Sequence, residues 1–256
     1  MEVLGISATK NRHQHIEKLV SCFLQQDYEG KHSLLIYNNA EQEQRLDRGD
    51  GFTWHEGNKS IYLHNCPASR KGTCYTNLGE IYNDILYLIG AFDPNTLVNH
   101  MDDDDIFLPN HFKEGVSGYT KGSLSGKKAY KPAKSWFKTE NHCRLDSNVL
   151  EPSIFVNLMH LLEYGYRETN ADSHHQWLTP LIVNNQIFID PTGMPTFVYD
   201  WSGEIPVWKT SGDPNNPKNF ENYTNYSKDY GDQIITPISL EQLKKHYDVF
   251  DGSKTR

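Results

Sequence analysis

The sequence has no apolar stretch approaching the roughly 20 residues of a membrane-spanning helix. Its opening segment, MEVLGISATKNRHQH, holds no long apolar core and no cleavage-like site, so no secretory leader is read. The expectation is a cytoplasmic chain with no membrane anchor of its own. Cysteine is scarce. Cys22, Cys66, Cys74 and Cys143 form no CxxC pair, which argues against a cysteine zinc site and fits reduced thiols. Positive charge is in deficit, with 25 Lys and Arg against 33 Asp and Glu and a formal charge of −8. A field of that sign does not draw nucleic acid or anionic membrane to the molecule as a whole. No internal repeat or low-complexity tract is present.

What the sequence does hold is the composition of an ordinary folded domain, with 37% hydrophobic residues, enough for a sizeable core at 256 residues. Fifteen Tyr and five Trp supply flat, half-polar surfaces of the kind that bind sugars and bases. Residues 1–110 read as alternating strands and helices. Val3 to Ile6, Leu34 to Tyr37, Ile61 to Leu63 and Thr96 to Met101 are short apolar runs of strand length. Between them, Ile16, Leu19, Val20, Phe23 and Leu24 fall at helical spacing, as do Leu78, Ile81, Tyr82, Ile85, Leu86 and Ile89. Strand–helix–strand repetition implies a parallel sheet with right-handed crossovers, whose ligands sit beyond the carboxyl ends of the strands. Asn38-Asn39 and Asp102 to Asp105 fall at two such ends and are expected to share one crevice.

Beyond that, Gly115 to Arg144 is rich in Gly, Ser and Lys and reads as a loop or lid over the crevice. Ser153 to Tyr164 and Asp172 to Val183 read as helices, and Gln186 to Ile189 and Thr196 to Tyr199 as strands. Residues 202–233 read as irregular, and Ser239 with Gln242 as a capping box opening a last helix.

The strongest chemical signal is Met101-Asp102-Asp103-Asp104-Asp105-Ile106-Phe107-Leu108-Pro109. Adjacent carboxylates repel one another unless a cation neutralises them. Hard oxygen ligands suit Mg²⁺ or Mn²⁺. If the strand pattern continues, alternate side chains point the same way, and Asp102 and Asp104 face one ion together. A solvated acidic turn is the plain alternative.

The stretch from Asp102 to Pro109 resembles the Asp-x-Asp-Asp segment, followed by Pro, of the family-2-type glycosyltransferases with the GT-A fold. Other segments agree in order. Val3 to Arg12 is similar to the family's first strand and its Pro-Thr-Tyr-Asn-Arg-like turn, with Ala8 and Lys10 replacing two usual residues. Gln25 to Tyr28 resembles a Gln-Thr-Tyr stretch. Asn38-Asn39 stands where the family has Asp-Asp, and Asn77-Leu78-Gly79 resembles the end of Ala-Arg-Asn-x-Gly, with Thr76 in place of Arg. The resemblance covers residues 1–112 and fades beyond.

It implies a mixed, mostly parallel α/β sheet flanked by helices. Residues 1–112 would form a nucleotide-sugar-binding half and 113–256 a smaller, irregular acceptor-binding half, within one catalytic domain. It further implies an inverting, Mn²⁺- or Mg²⁺-dependent transfer of a hexosyl or pentosyl group from a nucleotide sugar, a UDP-sugar first, to an acceptor hydroxyl. Ala8, Thr9, Asn11, Arg12, Asn39, Asn77, Asp102 and Asp103 would hold the donor, and Asp102 and Asp104 the metal. Asp172, before Trp177, would be the base that takes the acceptor's proton, although an Asp there is also an ordinary helix cap. Glu151 and Asp146 stand in reserve.

Lys209, in Lys209-Thr210-Ser211-Gly212, occupies a position where the family often has a metal-binding His. A charged Lys would neutralise a phosphate instead. His174-His175 is an alternative metal ligand pair, read more plainly as exposed residues of a capped helix. Lys127, Lys128 and Lys131, interleaved with Tyr119, Tyr130, Trp136 and Phe137, leave the acceptor open between a glycan and a hydroxylated DNA base, as in phage DNA-modifying enzymes, which would place the protein in a host cytoplasm. The replaced positions also leave open a binding module without turnover, and the aspartates a metal-dependent phosphohydrolase. Oligomeric state is not read.

Overall fold

A computed structural model describes residues 1–10, 12–138, 143–147, 151–169 and 173–200. In chain order the elements are β1 (Val3–Thr9), α1 (His13–Leu24), β2 (His32–Asn38), β3 (Thr53–Glu56), β4 (Lys59–Asn65), α2 (Leu78–Ile89), β5 (Leu97–His100), β6 (Ile106–Phe107) and α3 (His111–Ser123). They continue with β7 (Ala129–Pro132), β8 (Lys134–Lys138), β9 (Cys143–Ser147), β10 (Phe155–Asn157), α4 (Leu158–Tyr164), α5 (His175–Val183), β11 (Ile187–Asp190) and β12 (Phe197–Asp200).

Eight strands form one sheet in the order β11-β7-β10-β5-β1-β2-β4-β3. β1 runs parallel to β2 and β5, and β2 parallel to β4, while β10 and β3 enter antiparallel. The expected mixed, mostly parallel sheet flanked by helices is what the chain builds. A small second sheet, β6-β12-β8-β9, stands beside it. The central strands β1, β2 and β5 are buried on both faces, as crossover helices require. Along β2, Leu34 and Ile36 join a cluster with Ile16, Leu19, Val20 and Phe23 of α1. Leu35 and Tyr37 join the other, with Ile81, Tyr82 and Ile85 of α2 and with Trp177 and Leu181 of α5.

Helix α2 has the range its apolar spacing predicts, and its start is capped in side-chain detail. Asn77 Oδ1 accepts from the Glu80 amide at 2.9 Å, and Glu80 Oε2 accepts from the Thr76 amide at 2.9 Å.

Two readings are corrected. The Gly- and Lys-rich stretch from Gly115 is not a lid. It is the body of α3, followed by strands β7 and β8. Gly115, Gly118 and Gly122 lie one helical turn apart on the face that meets the sheet. A Cβ on Gly118 would stand 2.1 Å from the Tyr130 ring, and one on Gly115 2.3 Å from the Phe155 ring. The glycines let α3 lie close against an aromatic surface. Ser153 to Tyr164 is not one helix, because Phe155 to Asn157 pair with β5 and β7 and the helix begins only at Leu158. Strands β7, β10 and β11 all follow residue 112, so the main sheet runs unbroken across that position. The final helix expected at Ser239 and the irregular segment 202–233 lie outside the described residues.

Candidate functional site

The carboxyl ends of β1, β2, β4 and β5 are drawn together by backbone bonds. The Asn39 amide donates to the Thr9 carbonyl at 3.0 Å, Cys66 to Asn38 at 2.8 Å and Met101 to Ile6 at 2.8 Å. The acidic run therefore opens beside the first turn of the chain, at the same sheet edge as Asn38-Asn39.

The run itself is a turn between β5 and β6, closed by the Asp105 amide on the Asp102 carbonyl at 3.3 Å. Strand β5 ends at His100, so strand alternation does not carry through to Asp104 and the four carboxylates part ways. Asp103 turns inward and is buried. Its Oδ2 accepts from Thr9 Oγ1 at 2.6 Å and its Oδ1 from Arg12 Nη1 at 2.8 Å. Burial pushes its carboxyl up, and the Arg12 guanidinium and the Thr9 hydroxyl oppose the shift. Thr9, Arg12 and Asp103, all expected to touch a nucleotide, are thus engaged with one another. Asp105 is buried and accepts the Asp200 amide at 3.0 Å.

Asp102 and Asp104 keep partial exposure. Tyr82 Oη donates to Asp102 Oδ1 at 3.5 Å. Asp104 Oδ2 lies 3.6 Å from Arg12 Nη1. The Lys18 ammonium holds the turn from below, donating to the Asp104 carbonyl at 2.9 Å and to Asp200 Oδ2 at 3.0 Å. Asp200, at the end of β12, is thereby fixed against the acidic turn from the second sheet.

The two asparagines divide. Asn38 is buried and spent on structure, donating to the Gln42 carbonyl and to Asn65 Oδ1, each at 2.8 Å. Asn39 is half-buried, and among the described residues only its backbone amide has a partner. Ala8, half-buried, precedes it in space at the end of β1. Asn77 is occupied as the cap of α2. Asn11, Lys209 and Asp172 lie outside the described residues, as do the side chains of Asp146 and Glu151.

The chain on either side of Asp172 is nonetheless fixed. The Gly79 amide donates to the Thr169 carbonyl at 3.2 Å and the Arg167 amide to the Ser173 carbonyl at 3.0 Å. His174 is not an exposed residue of a capped helix. Its ring lies 5.4 Å from that of Tyr82, 4.7 Å from His100 and 5.9 Å from Trp177. Burial and the neighbouring His175 push its imidazole down to about 4, so it is neutral near pH 7. Tyr82 thus spans from the segment before α5 to Asp102. In the sequence Tyr82 is only one more position in an apolar helical stripe, and Lys18 carries no signal at all, because both act through partners about 20 to 180 residues away.

As a donor set, Asp102 and Asp104 offer hard carboxylate oxygens at the mouth of the crevice. Mg²⁺ and Mn²⁺ are commonly held by one or two carboxylates plus substrate phosphates, so either carboxylate suits such an ion without further protein ligands.

The chain matches no protein-family model and no curated protein by sequence. Among solved structures it resembles S. aureus TarS 1-349 in complex with UDP-GlcNAc, with a TM-score of 0.60 at 14% identity over 83% of this chain and 61% of that one. It also resembles the mannosyltransferase PcManGT from Pyrobaculum calidifontis in complex with GDP-Man and Mn²⁺, with a TM-score of 0.51 at 14% identity over 82% of this chain and 58% of that one. It therefore spans about three fifths of the length of each. At these identities the likeness establishes the fold.

Proposed function

We propose that the protein is a metal-dependent glycosyltransferase that moves a sugar from a nucleotide-sugar donor to an acceptor hydroxyl with inversion. The observation that carries this reading is the acidic turn at the carboxyl end of β5, placed against the ends of β1 and β2 in a fold shared with structures that hold UDP-GlcNAc, GDP-Man and Mn²⁺. Ligands of such sheets bind at this edge.

The residues divide the work. The Asn39 side chain offers both a donor and an acceptor to the base. Ala8 and the turn that follows it would line the donor beside it. Asp102 and Asp104 would hold Mn²⁺ or Mg²⁺ on the donor diphosphate. There the ion supplies Lewis-acid stabilisation of the departing nucleoside diphosphate. Asp103, tied to Thr9 and Arg12, fixes the shape of the turn. Lys209 would neutralise phosphate.

Asp172 takes the acceptor proton in this scheme. Its place is supported by the tilted ring contact of His174 with Tyr82 and the Tyr82 hydrogen bond to Asp102, which bring the segment before α5 up to the acidic turn. A general base there contributes on the order of 10²–10⁴ in rate. Direct attack assisted by such a base inverts the anomeric carbon. A UDP-sugar is the first donor to test, and a glycan or a hydroxylated DNA base the acceptor classes.

A thermal-shift panel of nucleotide sugars with Mn²⁺ or with EDTA tests the reading. A ligand at about 100 times its dissociation constant stabilises by about 2.7 kcal/mol, several degrees for a domain of this size. One donor class should raise the melting point with Mn²⁺ and not with EDTA. A panel flat under both conditions would sink the proposal. Binding without turnover across an acceptor panel would leave a binding module instead.

A further inference from the structure

Three further side chains, none of them part of the acidic turn, converge where α1 begins. His13 and Glu17 are four residues apart and so share one helix face. Asp47 approaches them from the connection between β2 and β3. One ligand atom from each lies within 4.8 Å of both others. We propose that His13, Glu17 and Asp47 form a second divalent-cation site that takes a zinc-class transition ion.

Charge comes first in the argument. Glu17 and Asp47 bring two carboxylates within 4.8 Å of each other. Among the described residues neither makes an ion pair. Like charges at that distance cost energy unless a cation lies between them. Glu17 Oε1 is moreover shielded from solvent and has no hydrogen-bond partner among the described residues. A sheltered carboxylate oxygen left unpaired is costly, and a cation would satisfy it.

Geometry supports the same site. In a tetrahedral zinc site with bonds of about 2.1 Å, ligand atoms stand about 3.4 Å apart. The observed spread exceeds this by little more than 1 Å, within the reach of rotamer changes at two exposed side chains. The backbone beneath is already fixed. Leu46, next to Asp47, and Ile16, next to Glu17, are buried in the same core cluster, and the Leu46 amide donates to the Gly51 carbonyl at 2.8 Å. The loop is therefore pinned against the helix before any ion arrives.

The donor set selects the ion. One imidazole with two carboxylates favours zinc and its first-row neighbours, whereas Mg²⁺ and Ca²⁺ prefer oxygen alone. Three protein ligands leave a position for water. Because His13 follows Arg12, an ion here would clamp the β2–β3 connection to the start of the helix that carries Arg12. The site stands independently of the glycosyltransferase reading.

The test is calorimetric titration of the full chain with Zn²⁺ alone, without nucleotide, alongside Co²⁺ titration followed by visible absorption. One saturable site is expected. His13→Ala and Asp47→Asn should each weaken it at least ~10-fold, since even the loss of an outer-shell partner costs a metal site that much. Both residues are exposed, so metal-free melting of these variants should match the parent chain, and Glu17→Gln provides a third probe. The site should survive in an Asp102→Asn, Asp104→Ala double variant. Absence of saturable binding would overturn the proposal, as would binding indifferent to His13→Ala and Asp47→Asn, or binding lost only in the acidic-turn double variant. Failure of every nucleotide sugar to bind would sink the transferase reading and leave this result standing.

Discussion

At the scale of residues, the four consecutive aspartates have separate physical fates, and their substitutions should separate accordingly. Asp103 is the buried partner of Arg12, so Asp103→Ala strands a guanidinium that is only 17% exposed. Breaking a buried pair from one side costs about 3–5 kcal/mol. Chemical denaturation should show a loss of that order for Asp103→Ala. Asp104→Ala should cost under about 1 kcal/mol in the same measurement yet remove metal-stimulated turnover. Equal stability losses would contradict the division. His111 offers a test through pH. It is buried, and its ring nitrogens face Thr196 Oγ1 at 2.8 Å and Asn99 Oδ1 at 3.0 Å. Because Asn99 Nδ2 is already given to the carbonyls of Pro152 and Ile154, Asn99 Oδ1 accepts from Nε2 of the imidazole, and in the neutral ring Nδ1 accepts from Thr196. Burial pushes it down to about 3. The unfolded chain therefore gains a proton as pH falls through about 6.5, while the folded chain resists down to about 3. Its contribution to stability is whole above that window and fades by up to ~1.4 kcal/mol per pH unit within it. Urea midpoints between pH 7 and 4 should fall, and less steeply in His111→Asn. Parallel slopes would refute the assignment. None of this was legible from the sequence, in which four aspartates in a row look alike and a lone histidine looks like any other.

At the scale of elements, legibility followed the period of the apolar residues. Helix α2 and the parallel strands announced themselves because their buried positions repeat with one spacing and have clear ends. Helix α3 did not, because its buried face is made of Gly115, Gly118 and Gly122, residues that in isolation mark turns. Their meaning appears only against Phe155, Tyr130 and Phe188 on the sheet. Gly118→Ala should accordingly lower stability by about 1–3 kcal/mol, the cost of overpacking, rather than raise it as a helix-propensity gain would. Gly79 is a stricter case, since a Cβ there would stand 1.8 Å from the Arg167 carbonyl oxygen, a backbone atom. Gly79→Ala should push the 167–169 segment off α2. If Asp172 is the base, transfer should drop by more than stability does. Melting curves and turnover on the same preparations check both substitutions, and a stabilised Gly118→Ala would show that α3 sits farther from the sheet than described.

At the scale of the whole molecule, the sheet gathers residues that are distant in sequence to one edge. Thr9, Asn39, the acidic turn and Asp200 come from four strand ends and meet at one edge through short backbone and side-chain bonds. That convergence could be foreseen for the first three, because alternating strands and helices imply a parallel sheet with its ligands at the carboxyl edge. It could not for Asp200, whose strand belongs to a second sheet with an antiparallel partner and no repeating pattern to reveal it. The central claim is that this edge grips a diphosphate through a cation on Asp102 and Asp104. Calorimetric titration of UDP into the protein, with Mn²⁺ and with EDTA, in the parent chain and in Asp102→Asn and Asp104→Ala, tests it most directly. Saturable binding that needs Mn²⁺ and is lost in both variants is the expected result. UDP binding of equal strength in EDTA, or unchanged in both variants, would contradict it.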